Sequence, residues 1–410
     1  MARARFAYAA TKRQALLLLV LAMGCGTSKK PEDPALSGEE NANDMQVPAC
    51  LPRLPLSSGF AHSCVLSTAG ALRCWGNGNE GQLGYGNTDT IGDDDLPSSV
   101  GEVEVGGAVT QLALGAGHNC VLLAEGNVRC WGAGIGQYDT GALGYGNTNA
   151  IGDNETPASA GDVDVGGRVV QVAVGTYVSC ALLETGNVRC WGWGGGTVVA
   201  GLLGYGNNQN IGDDETPASA GDVQIGGPVV QLAAGGRHIC ALLQDGNVRC
   251  WGSGDQGQLG YGNTQTIGDD EVPASAGNVD VGGPVKQVVA GEYYTCALLV
   301  SGEVRCWGQG GYGAATLGYA LGAGSLNAYI GDDEVPASAG SVNIGGNVEQ
   351  ISAGSEFTCA LLDTGNVRCW GLNNRGQLGY GNTTNIGGDE VPAAAGDLSL
   401  GMSLRLCSPL

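Results

Sequence analysis

The feature that most constrains this chain is a pair of cysteines at fixed spacing, as in Cys240-Ala-Leu-Leu-Gln-Asp-Gly-Asn-Val-Arg-Cys250-Trp251-Gly252. It occurs six times: Cys64 with Cys74, Cys120 with Cys130, Cys180 with Cys190, Cys240 with Cys250, Cys296 with Cys306, and Cys359 with Cys369. Trp-Gly follows the second cysteine every time. Self-similarity with a period of roughly 60 residues points to a propeller or an array of stacked units.

Each unit reads as a β-hairpin. The three-residue loop Gln244-Asp245-Gly246 suits a type I turn closed by a left-handed residue, which glycine supplies without strain. That register sets Leu243 opposite Asn247, Leu242 opposite Val248 and Cys240 opposite Cys250. The cysteines then fall on a non-hydrogen-bonded pair, where side chains come closest. A two-residue turn would slip the register by one and send the sulfurs to opposite faces. The spacing therefore predicts six cross-strand disulfides rather than buried thiols. It also lacks the short Cys-x-x-Cys of a zinc site.

One face of the hairpin carries Cys240, Leu242, Val248 and Cys250; the other carries Ala241, Leu243, Arg249 and Trp251. A sheet apolar on both faces needs neighbours on both sides, and radially arranged blades provide them. Each repeat holds four short apolar segments, in the fourth unit 229–233, 239–243, 248–251 and Asn278-Val279-Asp280-Val281. The expected fold is all-β: a propeller of six, alternatively seven, four-stranded blades over residues 50–410. Two segments, Leu54 to Leu56 and Leu404 to Leu406, both fit the strand that precedes a hairpin at the closure of the ring, and only one can take that slot.

The pattern Gly-x-x-His-x-Cys-Ala-Leu of Gly235 to Leu242, then Trp251-Gly252, then Gly257-Gln258-Leu259-Gly260-Tyr261-Gly262, resembles the regulator of chromosome condensation repeat family. That family forms β-propellers, most familiarly of seven blades. The resemblance spans about 360 residues. Six hairpins and the doubled cysteines are departures from the family pattern.

The beginning of the chain reads as an address. Residues 1–24 combine Arg3, Arg5, Lys12 and Arg13 with an apolar run from Ala15 to Met23, too short to span a bilayer. Leu21-Ala22-Met23-Gly24-Cys25 resembles the lipobox of bacterial lipoproteins, which implies lipid on Cys25. Gly26 after the cysteine implies the outer membrane or cell surface. Residues 25–49 are polar and read as a flexible tether. Loss of four basic residues with the leader moves the net charge from −22 to −26 (18 − 4 basic against 40 acidic). So acidic a chain is a poor ligand for nucleic acid, and the membrane is reached through the lipid alone. Export agrees with disulfides. Cys50 and Cys407 remain once the other cysteines are assigned, and a bond between them would fasten the ring.

The three histidines, His62, His118 and His238, share a repeat position with Val178, Tyr294 and Phe357, which marks packing rather than catalysis. No catalytic residue, cofactor or firm metal site is expected. The arginine before each second cysteine, such as Arg249, is expected to lay its stem on an indole. Acidic loops recur after Ile-Gly: Asp93-Asp94-Asp95, Asp153-Asn154-Glu155, Asp213-Asp214-Glu215, Asp269-Asp270-Glu271, Asp332-Asp333-Glu334 and Asp389-Glu390. Of these, Asp213, Asp214, Glu215, Asp269, Asp270 and Glu271 are weak calcium candidates, without EF-hand spacing. The loops after Trp-Gly are short in repeats one, four and six. In repeats two, three and five they are longer and carry Ile135, Tyr138, Trp193, Val198, Val199, Tyr312, Leu321 and Tyr329. Variable loops on a rigid scaffold are where binding resides. The expected function is a cell-envelope scaffold binding a protein or a surface polymer. The alternative is an enzyme, or an enzyme inhibitor, using the same face. Nucleotide exchange on a small GTPase, the activity of the family's nuclear namesake, is set aside for an exported chain.

Overall fold

The structure is a computed structural model that describes residues 56–67, 70–133, 140–196, 199–311, 315–322 and 328–400. The leader, Cys25, the tether, Cys50, Cys407, Ile135, Tyr138, Val198 and Tyr312 lie outside the described residues.

Six antiparallel sheets follow one another along the chain. Blade 1 holds β1 (Leu56–Ser58), β2 (His62–Leu66) and β3 (Leu72–Gly76). Blade 2 holds β4 (Val109–Leu114), β5 (His118–Leu123) and β6 (Val128–Gly132). Blade 3 holds β7 (Val169–Val174), β8 (Val178–Leu183) and β9 (Val188–Gly192). Blade 4 holds β10 (Val229–Ala234), β11 (His238–Leu243) and β12 (Val248–Gly252). Blade 5 holds β13 (Val285–Ala290), β14 (Tyr294–Leu299), β15 (Val304–Gln309) and β16 (Tyr329–Ile330). Blade 6 holds β17 (Val348–Ala353), β18 (Phe357–Leu362) and β19 (Val367–Gly371). The first strands of successive blades are neighbours, β1 beside β4 and so on to β13 beside β17, so they form the inner wall of the ring.

The hairpin register is as expected. Cys240 faces Cys250 and Leu242 faces Val248, and the turn closes through Leu243 N–H to Asn247 O at 2.8 Å and Gly246 N–H to Leu243 O at 2.9 Å. Gly246 takes φ +84°, a conformation a side chain would strain. All six cysteine pairs are bonded, with Cα–Cα distances of 4.0 to 4.1 Å, close to the short spacing of a non-hydrogen-bonded pair. Leu56–Ser58 pairs with β2, so the segment before the first hairpin takes the inner slot of blade 1.

The four-stranded blade needs correction. Among the described residues five sheets have three strands, and blade 5 adds a short fourth, β16. The outer edge of β12 is instead satisfied at alternate residues by three devices. Gly252 exchanges hydrogen bonds with Ile267, and Val248 O accepts from Val279 N–H at 2.9 Å. Between them, Cys250 N–H donates to the Tyr261 hydroxyl at 3.1 Å, and that hydroxyl donates back to Cys250 O at 3.1 Å. Asn278-Val279-Asp280-Val281 is therefore no strand. It touches the edge once and buries Val279 and Val281. A phenol standing in for a strand leaves no open edge to recruit another chain.

Between Ile267 and this connector lies one turn of helix, α3 (Pro273–Ala276). It recurs as α1 (Pro157–Ala160), α2 (Pro217–Ala220), α4 (Pro336–Ala339) and α5 (Pro392–Ala395). Proline at the first helical position starts each one, where its missing N–H costs nothing.

The core lies between blades. Trp131, Trp191, Trp251, Trp307 and Trp370 are fully buried, and so are all twelve bonded cysteines to within 4%. Each disulfide closes a short loop, and removing one by a double Cys240→Ser, Cys250→Ser substitution is expected to cost about 2–3 kcal/mol in denaturant unfolding. Intact mass should rise by two hydrogens per bond on reduction; native labelling of these cysteines with a thiol reagent would contradict the bonding.

Candidate functional site

The histidines come first because they are the groups most often catalytic. Each begins a second strand and sits at the joint with the next blade. His62 Nε2 meets Asn119 Oδ1 at 2.5 Å, His118 Nε2 meets Ser179 Oγ at 2.9 Å, and His238 Nε2 meets Thr295 Oγ1 at 2.7 Å. Burial holds His62 below its usual range and brings His118 down to about 4 and His238 to about 3, so all three are neutral at pH 7. His118 with Ser179 is a serine–histidine contact, but both are buried and Nδ1 of the ring has no partner to orient it. Tyr294 replaces histidine in blade 5, and its hydroxyl accepts from Thr358 at 2.9 Å and donates to Phe357 O at 2.5 Å. In blade 3 the position is Val178 and the next blade answers with Ile239, both fully buried. Polar meets polar and apolar meets apolar, which is the rule of a packing interface.

The arginines depart from expectation. They do not lie on the indoles; the Arg-to-ring contact among the described residues is Arg237 over Tyr293 at 5.1 Å. Arg129 Nε bonds Asp162 at 2.8 Å, Arg189 bonds Asp222 at 2.9 Å, Arg368 bonds Asp397 at 2.7 Å, and Arg249 reaches Asn278 at 2.9 Å. The second arm of Arg189 donates to Val165 O at 2.6 Å, ahead of the blade. Each fork thus ties its hairpin to the connectors before and after it. A guanidinium can do this because its planar donors point two ways.

One further recurring group was not singled out from sequence. Glutamines of the inner strands clamp the next blade: Gln231 Nε2 donates to Val288 O at 2.9 Å, and its Oε1 accepts from Val288 N–H at 3.0 Å. A bulge between Val229 and Gln231 turns the amide outward. The same pair of bonds joins Gln111 to Val172, Gln171 to Leu232 and Gln287 to Ile351. Asn373 in a short loop is fully buried and braces that loop through Leu378 N–H, Asn382 O and Thr384 O.

The acidic loops are brought together within each blade, not between them. Carboxylate oxygens of Asp213, Asp214 and Glu215 lie within 4.8 Å of one another, as do those of Asp269, Asp270 and Glu271, of Asp332, Asp333 and Glu334, and of Asp93, Asp94 and Asp95. Partial burial, then the neighbouring aspartates, push Glu215, Glu271 and Glu334 up to about 7. Oxygen donors so placed suit a hard cation. The same loops also have a mechanical task, since the backbone at Glu155, Glu215, Glu271 and Glu334 packs on the Tyr-Gly turn of the preceding blade.

The long loops divide. Val199 is 3% exposed and belongs to the core, so its place among exposed binding residues is corrected. Trp193 is half-buried and meets Tyr177 edge-to-face with centroids 5.1 Å apart. Tyr329 is half-buried in β16, paired with Gln309. Leu321 is exposed, at 41%.

A ring of Cys-stapled blades bearing Trp-Gly and Gly-Tyr-Gly loops defines a propeller of regulator of chromosome condensation type. The model of the regulator of chromosome condensation (RCC1) repeat matches residues 56–82, 109–134, 169–195, 229–258, 285–314 and 348–377, each match beginning at an inner strand. A second RCC1-repeat model matches 245–298. The chain belongs to the RCC1 repeat family. It is 30% identical over 337 residues to the ultraviolet-B receptor UVR8 of Arabidopsis thaliana, covering 80% of this chain and 67% of UVR8. It is 30% identical over 353 residues to the human E3 ubiquitin-protein ligase HERC2, covering 84% of this chain and 6% of HERC2. Among solved structures, yeast RCC1 (Prp20) superposes with a TM-score of 0.62 at 19% identity, over 82% of this chain and 74% of that one. Human WBSCR16 gives 0.58 at 22% identity, over 81% and 79%.

The joint rule yields a test. His238→Val with Thr295→Ile copies the Val178/Ile239 pair and should fold. Each buried neutral histidine has a folded pKa below its unfolded one, so its contribution is complete above about pH 6.5 and is lost as pH falls toward its folded pKa. The double variant should therefore lose stability less steeply below pH 6.5, by up to about 1.4 kcal/mol per pH unit. An unchanged acid limb would show that His238 is not the neutral group described.

Proposed function

We propose that the chain is an exported, lipid-anchored scaffold that binds another protein through the extended loops of blades 2, 3 and 5. The observation that carries this reading is the contrast between blades and loops. Six hairpins repeat nearly residue for residue, while three equivalent loops break the repeat in length and gain Tyr138, Tyr312 and exposed Leu321. Equivalent loops leave their blades at the same end, so the departures gather on one rim. Aromatic and apolar side chains on a rigid rim are the usual anchors of a protein interface. Yeast RCC1 (Prp20) has itself been solved bound to Kap60, which fits the use of this architecture as a binding surface. The three histidines are buried in the joints between blades, where packing accounts for them.

Export rests on the Leu21-to-Cys25 lipobox and on six disulfides, which persist outside the reducing cytosol. Among the described residues no helix is long and apolar enough to cross a membrane. Labelled fatty acid should enter the wild-type chain and fail to enter Cys25→Ser; equal labelling of both would remove the anchor from the reading.

For the rim, crosslinking in the envelope fraction followed by mass spectrometry should capture a partner with the wild type. Tyr312→Ala and Leu321→Asp should each weaken that binding by about 1–3 kcal/mol with the unfolding transition unmoved. Capture indifferent to both substitutions would move the interface off these loops.

A further inference from the structure

The turns that lead from each inner strand into the second strand of its blade form one continuous band. They begin at Gly59, Gly115, Gly175, Gly235, Gly291 and Gly354. A side chain at Gly59 would strike Gly115 O, and one at Gly115 would strike Gly175 O. The same holds for Gly175 on Gly235 O and for Gly235 on Gly291 O. Glu292 N–H then donates to Ser355 O at 2.9 Å. Because the inner strands line the propeller, this band surrounds its opening at one end.

The band displays aromatic and acidic side chains. Phe60 is 79% exposed, more than any other large apolar side chain among the described residues. Tyr177, Arg237, Tyr293 and Glu356 hold one position on blades 3, 4, 5 and 6, all partly buried. Trp193 stands edge-to-face against Tyr177, and Arg237 lies over the Tyr293 ring at 5.1 Å. Glu292 runs across Gly236, where a Cβ would fall 2.8 Å from its Cγ, and Ser355 Oγ donates to Glu292 Oε2 at 2.7 Å. The Glu356 carboxyl is pushed up, first by burial and then by the charge of Glu292. The ion pairs among the described residues include neither of these glutamates.

Two neighbouring carboxylates without a counter-charge make a surface short of a cation. Aromatic rings beside them accept one on their faces, and Arg237 on Tyr293 shows a guanidinium in that place. The whole chain adds to the attraction, with 40 acidic residues against 18 basic. A neutral or acidic partner would bury both carboxylates unpaired, which costs binding energy.

We propose that the opening surrounded by these turns docks a segment rich in lysine and arginine from a partner protein. Its cations take Glu292 and Glu356, and its apolar stems lie against the aromatic side chains of the same band. The class of partner rests on the protein-binding reading above; its charge is what this surface adds, and the surface is the turns rather than the extended loops.

Fluorescein-labelled decalysine titrated with the purified, oxidised full chain tests the proposal. Glu292→Gln combined with Glu356→Gln should weaken binding about tenfold, through loss of two complementary charges. Arg237→Gln should tighten it roughly threefold, because it removes the surface's own cation and bares the Tyr293 face. The controls remove the same charges at the other end of the blades. Glu125→Gln with Glu184→Gln in the hairpin turns, and Arg168→Gln beside them, should each change binding by less than about twofold. Equal effects at both ends would reduce the binding to net charge and overturn the proposal, as would no binding of decalysine. The wild type alone gives a second readout, which stands even if a variant fails to fold. Decalysine should slow amide exchange at 235–237, 291–293 and 354–356 and spare the hairpin turns; the reverse pattern would overturn the site. Binding of chitohexaose without binding of decalysine would replace the basic segment with a glycan. Self-association in sedimentation that Arg237→Gln abolishes would replace it with a second copy of the chain. Envelope capture through the extended loops with no binding of decalysine would sink this inference and leave the reading of those loops standing.

Discussion

Everything in this molecule depends on one blade covering the face of the next. A three-stranded sheet with cysteine, leucine and valine on one side and alanine, leucine and tryptophan on the other has no solvent side. It is stable only when both faces are dry. The contact that fixes the distance between blades is an indole beneath a glycine. Burying a tryptophan completely is worth several kcal/mol, since truncation of such a side chain costs about 3–5. The glycine is required because a Cβ at Gly204 would fall within 2.8 Å of Trp251 Nε1. Large and small residues therefore alternate across the five joints from blade 1 to blade 6, and the Trp-Gly and Leu-Gly pairs are two halves of one lock.

The second constraint is what happens to the edge of the third strand. A blade this narrow exposes a ladder of backbone groups at its rim, and unpaired edges invite other chains. The repeat answers with the Tyr261 hydroxyl on Cys250, the single bridge of Ile267 and the single hydrogen bond of Val279. Burial pushes the Tyr261 hydroxyl up to about 12, so it stays protonated and keeps both roles, donor and acceptor. The arginine fork then holds the connectors against the hairpin. The disulfide also packs in the joint, with Cys240 Sγ 3.8 Å from Thr295 Oγ1 of the next blade. It restricts the unfolded chain inside each hairpin, which matters for a protein with so many glycines and hence so much entropy to lose.

The hairpin register was readable because its evidence is local: a turn glycine, a fixed spacing and a period of two. The same locality misled at the outer segment. Asn278-Val279-Asp280-Val281 alternates like a strand, yet the alternation records one hydrogen bond and two buried valines, with the ladder taken over by Tyr261, well before it in the chain. Val199 was misplaced for a related reason, since an apolar residue in a long loop looks exposed until the neighbouring blade is known. The joints were hidden from any reading that compares repeats position by position. His238 and Thr295, or Val178 and Ile239, make sense only when one repeat is compared with the next at an offset of one residue. Gln231 was invisible because a polar residue on an inner strand looks like a solvated one until the bulge turns it toward its neighbour.

The same offset logic separates two kinds of surface loop. The backbone of the acidic loops packs on the preceding blade, and their carboxylate oxygens crowd within 4.8 Å of one another. That crowding, with partial burial, is what lifts Glu215, Glu271 and Glu334 to about 7. It recurs blade after blade as a by-product of the repeat, and a ligand reading it would meet nearly equivalent positions in turn. The extended loops of blades 2, 3 and 5 do the opposite: they distinguish one blade from another. A partner that docks once, in one orientation, needs a surface without the symmetry of the ring. In the scaffold we propose, the extended loops that break the repeat are the source of that asymmetry.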